Sequence, residues 1–291
     1  MNFVRKEKII FLLMVSPALL LLSVFFIWPL FNSFWISFHT WPMFGKPKWV
    51  GLDNYIYTLN DPRFWETLKF TTIYTFTATP MLFIVALITA LLCNVKTWGT
   101  TFFRAMYFLP VVLSFATASY IWLWLYSELY GIIIYVLELF GFGGPDKNLN
   151  VWTTPTSGLW AVNTMVTWKF SGIQMIILIA GLQAIRDDYN EASTLMGASR
   201  WQTIWHVTLP LLRPSIALCL ILCIAGGYQA YEQFLIMTQG GPQGATRTIL
   251  MHTTDMGFTW FKLGPAASVG IFVMVIIFVL TAIQLRLFKP H

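Results

Sequence analysis

Residues 191–210 read EASTLMGASRWQTIWHVTLP and belong to a polar loop, 186–213, that separates two long apolar segments. Asp188 followed by Glu191 predicts a capped helix start, because acidic residues are favoured at the positive end of a helix. Gly197 suits the left-handed residue that ends such a helix. Ser199 and Gln202 have the spacing of a capping box, and Pro210 is expected to stop this second helix. The loop therefore predicts two short, capped helices joined by a glycine.

The composition around this loop is that of a membrane protein. The chain has 291 residues, of which 57% are hydrophobic and only 10% are charged. A soluble domain usually carries about 25% charged residues. With so few, the chain could not cover its own surface with polar groups, so the sequence predicts an all-α protein embedded in lipid.

Six apolar segments have the length of roughly 20 residues that a helix needs to cross a bilayer. Two of them contain one ionisable residue each, Lys169 and Glu232. A shorter segment, 131–142, is expected to form an interfacial or re-entrant helix on the outer side. The six predicted spans are 9–31, 70–93, 105–127, 158–182, 214–237 and 263–285.

The charges predict the orientation of these spans. With the N-terminus inside, ten basic and four acidic residues lie on the inner side, and the remaining charges cancel. Basic residues in short loops are retained in the cytoplasm, so both termini are expected inside (N-in/C-in). The inner charges are Arg5, Lys6, Lys8, Lys96, Arg104, Arg186, Arg200, Arg213, Arg286 and Lys289, with Glu7, Asp187, Asp188 and Glu191.

Several kinds of chemistry are not indicated. The basic residues show no run with interleaved aromatics, so no nucleic-acid partner is expected. Cys93, Cys219 and Cys223 lack a neighbouring histidine or CxxC motif, which favours small packing residues over a metal or redox site. No P-loop, nucleophile motif or metal motif is visible, which argues against an enzyme, including an intramembrane one. A secondary transporter would show inverted repeats and ion-coordinating carboxylates near mid-membrane, and neither is evident.

Spacing alone leaves two interpretations of the 186–213 loop: an amphipathic hairpin on the lipid surface, or a docking element. Its sequence resembles the loop signature of permeases of binding-protein-dependent ABC importers: Glu-Ala-Ala, three residues, Gly, nine residues, Ile, any residue, Leu-Pro. The spacing matches throughout, with Ser193 and Val207 as the departures. Further segments resemble the carbohydrate-uptake branch, the permeases of maltose, glycerol-phosphate and multiple-sugar systems, and the first permease of the pair. They are Val50-Gly51-Leu52-Asp53-Asn54-Tyr55, Asp61-Pro62-Arg63-Phe64-Trp65, Phe103-Arg104, Phe108-Leu109-Pro110, Trp168-Lys169 and Gly240-Gly241-Pro242.

The resemblance implies a type I ABC importer permease fold in a bacterial cytoplasmic (inner) membrane. It implies an N-terminal span and outer loop (1–66) and a transmembrane domain (67–287) that works by alternating access. The 186–213 loop would couple it to an ATPase dimer that binds ATP and Mg, this chain binding no cofactor or metal. The other implied partners are a second, homologous permease in a heterodimer, an extracytoplasmic solute-binding protein and a carbohydrate substrate. The implied ATPase-coupling residues are Glu191, Ala192, Ser193, Gly197, Ala198, Leu209 and Pro210, while Trp201 and Trp205 are expected to pack the loop against the spans.

Polar and aromatic residues inside the fourth and fifth spans are candidates for the substrate path, because rings stack on sugar C–H faces and polar groups bind hydroxyls. Helix rise places Glu232 about 27 Å from the inner end of the fifth span and Lys169 about 16 Å from the outer end of the fourth. A direct pair would require Lys169 to reach outward, and a structural contact between helices is an equal alternative for both. The path candidates are Asn163, Lys169, Gln174, Tyr228, Gln229, Tyr231 and Glu232.

We predict that Glu191→Lys or Gly197→Pro abolishes sugar uptake while the protein remains inserted and assembled. The first reverses an acidic contact to the ATPase, and the second places a residue with a φ of about −65° at the joint. Uptake of labelled sugar, measured beside membrane insertion, checks both variants. Normal transport by both would contradict the coupling role.

Overall fold

The computed structural model describes residues 3–42, 45–95, 97–141 and 150–288, except for the side chains of residues 3–9 and 190. Some charges used to predict the orientation lie outside the described residues: Lys96, Lys289 and the side chains of Arg5, Lys6, Glu7 and Lys8. The helices are α1 (Phe3–Leu22), α2 (Trp28–Ser37), α3 (Asp53–Asn60), α4 (Pro62–Cys93), α5 (Thr100–Val112), α6 (Phe115–Leu125), α7 (Ile132–Leu139), α8 (Pro155–Gln183), α9 (Asp187–Leu195), α10 (Arg200–Thr203), α11 (Leu209–Leu211), α12 (Arg213–Tyr228), α13 (Glu232–Met237), α14 (Ile249–Thr254) and α15 (Leu263–Leu287). Strands β1 (His39–Thr40) and β2 (Lys48–Trp49) pair antiparallel, and π turns occupy Ser23–Ile27, Ile204–Thr208 and Asp255–Thr259.

The predicted all-α class is confirmed. Within the described residues, four helices are long and apolar enough to cross a membrane, and six spans result if each of two bent pairs is one span. The single helices are Ile10–Ser37, Pro62–Cys93, Pro155–Gln183 and Leu263–Leu287, and the bent pairs are Thr100–Val112 with Phe115–Leu125 and Arg200–Leu211 with Arg213–Tyr228. The count of six and the orientation stay predictions, as does the division at residue 66.

The third predicted span, 105–127, is not one straight helix. Its two parts, α5 and α6, are bent by 100°. Leu113 has an extended backbone, and the Ser114 side chain accepts a hydrogen bond from the Thr117 amide at 3.0 Å, which starts a new helix. A hydropathy pattern does not distinguish one long helix from two that meet at such a cap.

The fifth predicted span, 214–237, is also interrupted. Helix α12 ends at Tyr228, and α13 begins at Glu232. The distance of about 27 Å for Glu232, which assumed one continuous helix at 1.5 Å per residue, is therefore wrong. Tyr231, with φ −143° and ψ −72°, leaves the helical conformation and causes the break.

The chain divides into two compact units. The first comprises residues 1–64 and 253–274. In it the Asn54 amide donates to the carbonyls of Ser37 and His39 at 2.8 and 3.0 Å, and the hydroxyls of Thr58 and Ser268 lie 2.7 Å apart. The two Asn54 bonds hold α3 against the end of α2 and the start of β1, and the contact between Thr58 and Ser268 holds α3 against α15.

The second unit comprises residues 65–252 and 275–291 and has two buried apolar clusters. Glycines on α8 allow close helix approach. A Cβ at Gly172 would lie 2.1 Å from the Tyr107 carbonyl oxygen, and one at Gly181 would lie 2.1 Å from the Ser215 hydroxyl. Small residues at helix contacts are typical of membrane proteins, in which backbones pack closely.

Candidate functional site

The first helix of the 186–213 loop, α9, ends as the sequence predicts. Gly197 has φ +77°, its amide bonds the Thr194 carbonyl at 3.0 Å, and the Ala198 amide bonds the Ser193 carbonyl at 3.0 Å. These two bonds form a Schellman motif, which satisfies the last carbonyls of the helix. The helix start differs from the prediction: Arg186, not Asp188, is the N-cap residue, and the Asp188 carboxylate in the first turn pairs with the Arg186 guanidinium.

The second helix of the loop begins with the predicted capping box. The Ser199 amide donates to the Gln202 side chain at 2.8 Å, and the Gln202 amide donates to the Ser199 hydroxyl at 3.4 Å. Pro210 does not stop this helix, which continues through the π turn Ile204–Thr208 to Leu211. A π turn already shifts the backbone hydrogen bonds by one residue, so the missing N–H of a proline costs little there.

The two helices are joined by side chains as well as by the chain. The Ser193 hydroxyl is buried and lies 3.1 Å from the Thr203 hydroxyl. A crevice of about 690 Å³ separates the loop from the C-terminal ends of α4 and α8 and is lined on the loop side by Thr194, Ala198, Arg200, Thr203, Ile204 and Thr208. Because these residues face the spans, Trp201 and Trp205 do not. They are 70% and 63% exposed, and the prediction that they pack against the spans is wrong.

The exposed surface of the loop is apolar at the joint between its two helices. Leu195 and Met196 are 88% and 87% exposed, while Glu191 and Ala192 are exposed on the same helix. Of the other predicted coupling residues, Ala198, Leu209 and Pro210 are half-buried. Two large aliphatic side chains are therefore exposed at the joint of the loop.

Among the path candidates, Lys169 is committed to contacts within the chain. A charge at the centre of a span costs about 2.5–3.5 kcal/mol on insertion scales. Lys169 is 3% exposed, and its ammonium donates to the carbonyls of Pro110 and Val111 at 3.4 Å each and to that of Leu113. It forms no ion pair with Glu232 within the described residues.

Asn163 and Gln174 are also buried between helices. The Asn163 amide donates to the Thr77 hydroxyl at 3.0 Å, and the Gln174 amide reaches the Cys219 carbonyl and the Cys223 sulfur at 3.4 Å each. In each amide the oxygen is buried and has no hydrogen-bond partner in the described part of the chain. Cys93 and Cys219 lie in a buried apolar cluster, as expected for packing residues.

The remaining candidates lie at the break in the fifth span. Tyr228 is buried, with its hydroxyl 3.1 Å from that of Thr72. Gln229 and Glu232 are exposed, and Tyr231 is half-buried. The structure therefore separates two sets of candidates. The buried ones are Asn163, Lys169, Gln174 and Tyr228, and those exposed or half-buried at the break are Gln229, Tyr231 and Glu232.

Gln233 is a residue of this site that the sequence did not single out. It is buried. Its side-chain oxygen accepts a hydrogen bond from the backbone amide of Tyr231 at 3.2 Å, and its side-chain amide donates to the Tyr74 hydroxyl at 3.4 Å. Gln233 thus binds a backbone donor that the break leaves free. The available signal was a glutamine within an apolar segment directly beside Glu232.

Comparisons with known proteins identify the family and the fold of the chain. Residues 56–289 match the family described as "Binding-protein-dependent transport system inner membrane component". The chain is 31% identical to the trehalose/maltose transport system permease protein MalF of Thermococcus litoralis, covering 95% of this chain and 93% of the relative. It is 30% identical to the multiple sugar-binding transport system permease protein MsmF of Streptococcus mutans, covering 93% and 92%. A crystal structure of a bacterial ABC transporter that imports alginate has the same fold, with a TM-score of 0.80 at 20% identity and coverage of 98% and 96%.

Ser199→Ala is expected to loosen the second helix of the loop, because it removes the acceptor of the capping box. Losing such a cap costs about 0.5–2 kcal/mol, or roughly 2- to 30-fold faster amide exchange in residues 200–203. Hydrogen exchange read by mass spectrometry measures the change. Ser199→Asp keeps the acceptor and serves as the control. Equal protection in the alanine variant would show that the box does not stabilise the helix.

Proposed function

The chain belongs to the family of binding-protein-dependent transport system inner membrane components, the permease subunits of ABC importers, and from that membership we propose that it moves a carbohydrate into the cell. As a permease subunit it is a multi-pass membrane protein and not an enzyme. Named relatives at 30–31% identity transport trehalose and maltose or multiple sugars. Family membership carries the transport proposal, and the structural observation that supports coupling to an ATPase is the 186–213 loop, whose capped helices expose an apolar joint.

In the proposed mechanism, Leu195 and Met196 enter a groove of a cytoplasmic ATPase subunit, with Glu191 meeting a basic residue on its rim. Burying two such side chains favours docking by about 1.5–3 kcal/mol each before the entropy cost of association. ATP and Mg belong to that partner. When nucleotide closes the ATPase dimer, the loop moves with it.

The loop is suited to transmit this motion because its parts are stiff. The Schellman motif at Gly197, the capping box at Ser199 and the contact between Ser193 and Thr203 each remove freedom at the joint. Only Leu212 separates the helix Arg200–Leu211 from α12, and this leucine is 1% exposed. Displacement of the loop therefore passes directly to α12, whose other end is the break at 229–231.

That break is the proposed translocation path. Non-helical backbone at membrane depth is tolerated where it is covered by protein or lines a cavity. Gln229, Tyr231 and Glu232 together offer an amide, an aromatic ring and a carboxylate, which suit sugar hydroxyls and C–H faces. The exposed positions of Gln229 and Glu232 support a path on this side of the chain, and movement of α12 would open and close it in alternating access.

The proposed complex contains a second, homologous permease and an extracytoplasmic solute-binding protein in a bacterial inner membrane. None of the most apolar stretch of the first predicted span, Ile10–Ser37, is buried within the described part of the chain, which leaves its surface open to lipid and to another subunit. A related structure by fold contains a periplasmic protein with bound alginate pentasaccharide, with a TM-score of 0.82 at 19% identity. By analogy, the receptor would deliver the sugar to the outer side.

Reconstitution tests the function. Proteoliposomes that hold both permeases and the ATPase dimer are expected to accumulate labelled sugar only when ATP is enclosed and the receptor is outside. A non-hydrolysable ATP analogue is the control. Uptake that follows an imposed ion gradient without ATP would contradict the proposal.

Substitutions at the break test the path in the same assay. Tyr231→Ala combined with Glu232→Gln is expected to change the uptake ratio of two sugars by about tenfold or more, because a group that binds hydroxyls is lost. Tyr228→Phe removes only a hydroxyl that contacts Thr72 and is expected to preserve the ratio. An unchanged ratio in the double variant, for every sugar tested, would remove the path assignment.

A further inference from the structure

The third span consists of two limbs that meet near Leu113. In the predicted orientation the inner limb is α5 and the outer limb is α6, and the angle between them is 100°. We propose that Lys169 is a positioning residue that holds this bend and thereby places the outer limb for transport. The transport part of the proposal rests on the proposed function, whereas the structural part does not.

The Lys169 ammonium binds the end of the inner limb. The last carbonyls of a helix lack the amide donors of a following turn, and within hydrocarbon they have no water either. At the end of α5, the Pro110 carbonyl accepts the Leu113 amide at 3.3 Å. An ammonium has three N–H donors, and the Lys169 Nζ donates to the three carbonyls of Pro110, Val111 and Leu113. A cation at this end also complements the negative pole of the helix.

The same ammonium contacts the start of the outer limb. It lies 5.4 Å from the centre of the Phe115 ring and 5.2 Å from that of Phe170, distances at which a cation is attracted to an aromatic face. Phe115 is the first residue of α6. One side chain therefore bridges both limbs across the bend.

Gly172, on the same helix as Lys169, allows the lysine to reach the carbonyls at the end of α5. Gly172 lies three residues after Lys169 on α8, and a Cβ there would be 2.1 Å from the Tyr107 carbonyl oxygen and 2.8 Å from its carbon. These are backbone atoms and cannot turn away as a flexible side chain would. Gly172 thus lets the inner limb lie directly on α8, close enough for the Lys169 ammonium to bind the carbonyls at the end of that limb.

The outer limb connects the bend to the break in the fifth span. α6 packs against α8 and against α13, whose first residue is Glu232. Because α13 begins at the proposed path, a shift of α6 would displace one side of that path. Lys169 itself does not bind substrate, since it is 3% exposed and its donors already meet carbonyls.

The test compares Lys169→Met and Gly172→Ala in the complete importer. Spin labels at Met106 and Trp124, both exposed, report the distance between the limbs in a background whose native cysteines are replaced and whose uptake is intact. Lys169→Met is expected to broaden and shift this distance and to lower maximal uptake about tenfold or more, with an unchanged half-saturation constant. Gly172→Ala keeps the lysine and is expected to change distance and uptake in the same direction.

Two further variants separate this role from general destabilisation. Lys169→Arg keeps the charge and the donors and is expected to restore the interlimb distance and most of the uptake. Gly270→Ala adds the same methyl group at a position where no atom of the described residues would lie within 4 Å of it, and is expected to change neither the distance nor the uptake.

An unchanged distance in Lys169→Met would overturn the proposal, whether or not uptake falls. Loss of uptake with the bend intact would mean that Lys169 affects transport by a route other than the bend. Should Lys169→Met fail to assemble, Gly172→Ala decides by the same criterion. If the wild-type importer carried no sugar, the proposed function would fail, while the distance measurement would still decide whether Lys169 holds the bend.

Discussion

Backbone N–H and C=O groups inside a membrane need partners, because hydrocarbon offers none. Two predicted spans of this chain are interrupted, and each break is covered by a polar side chain. At the end of α5, the Lys169 ammonium binds three carbonyls, and before α13, the Gln233 side chain binds the Tyr231 amide. Breaks that would otherwise be unstable in lipid become defined bends.

These two breaks are connected to each other and to the 186–213 loop. The helix Arg200–Leu211 passes into α12 at Leu212, α12 ends at the break beside α13, and α13 packs against α6 beyond the Lys169 contact. The first connection is a 70° bend at the buried Leu212, the second is the non-helical segment 229–231, and the third is a packed contact between two helices. In the proposed function, force from an ATPase would enter at the loop and reach the path along this series.

Of the local signals in the loop, the helix end at Gly197 and the capping box of Ser199 and Gln202 were correct, whereas the cap at Asp188 and the stop at Pro210 were wrong. The Schellman motif at Gly197 and the capping box of Ser199 and Gln202 involve bonds between residues at most five apart, and both are present. Predictions that needed the direction of a side chain were less successful. Helical spacing grouped Trp201 with Trp205, but it could not tell which side of the helix faces the spans.

The sequence by itself determined the all-helical class, the apolar segments and the resemblance to ABC importer permeases, because composition and short-range spacing carry that information. Only the tertiary structure decided where the third and fifth spans break and what Lys169 contacts. The Lys169 side chain binds carbonyls 56 to 59 residues earlier in the chain, and the Asn163 amide meets a hydroxyl 86 residues away. Partners at such separations are set by the packing of whole helices, and a buried cation gives no sign in the sequence of whether carbonyls, a carboxylate or a substrate will satisfy it.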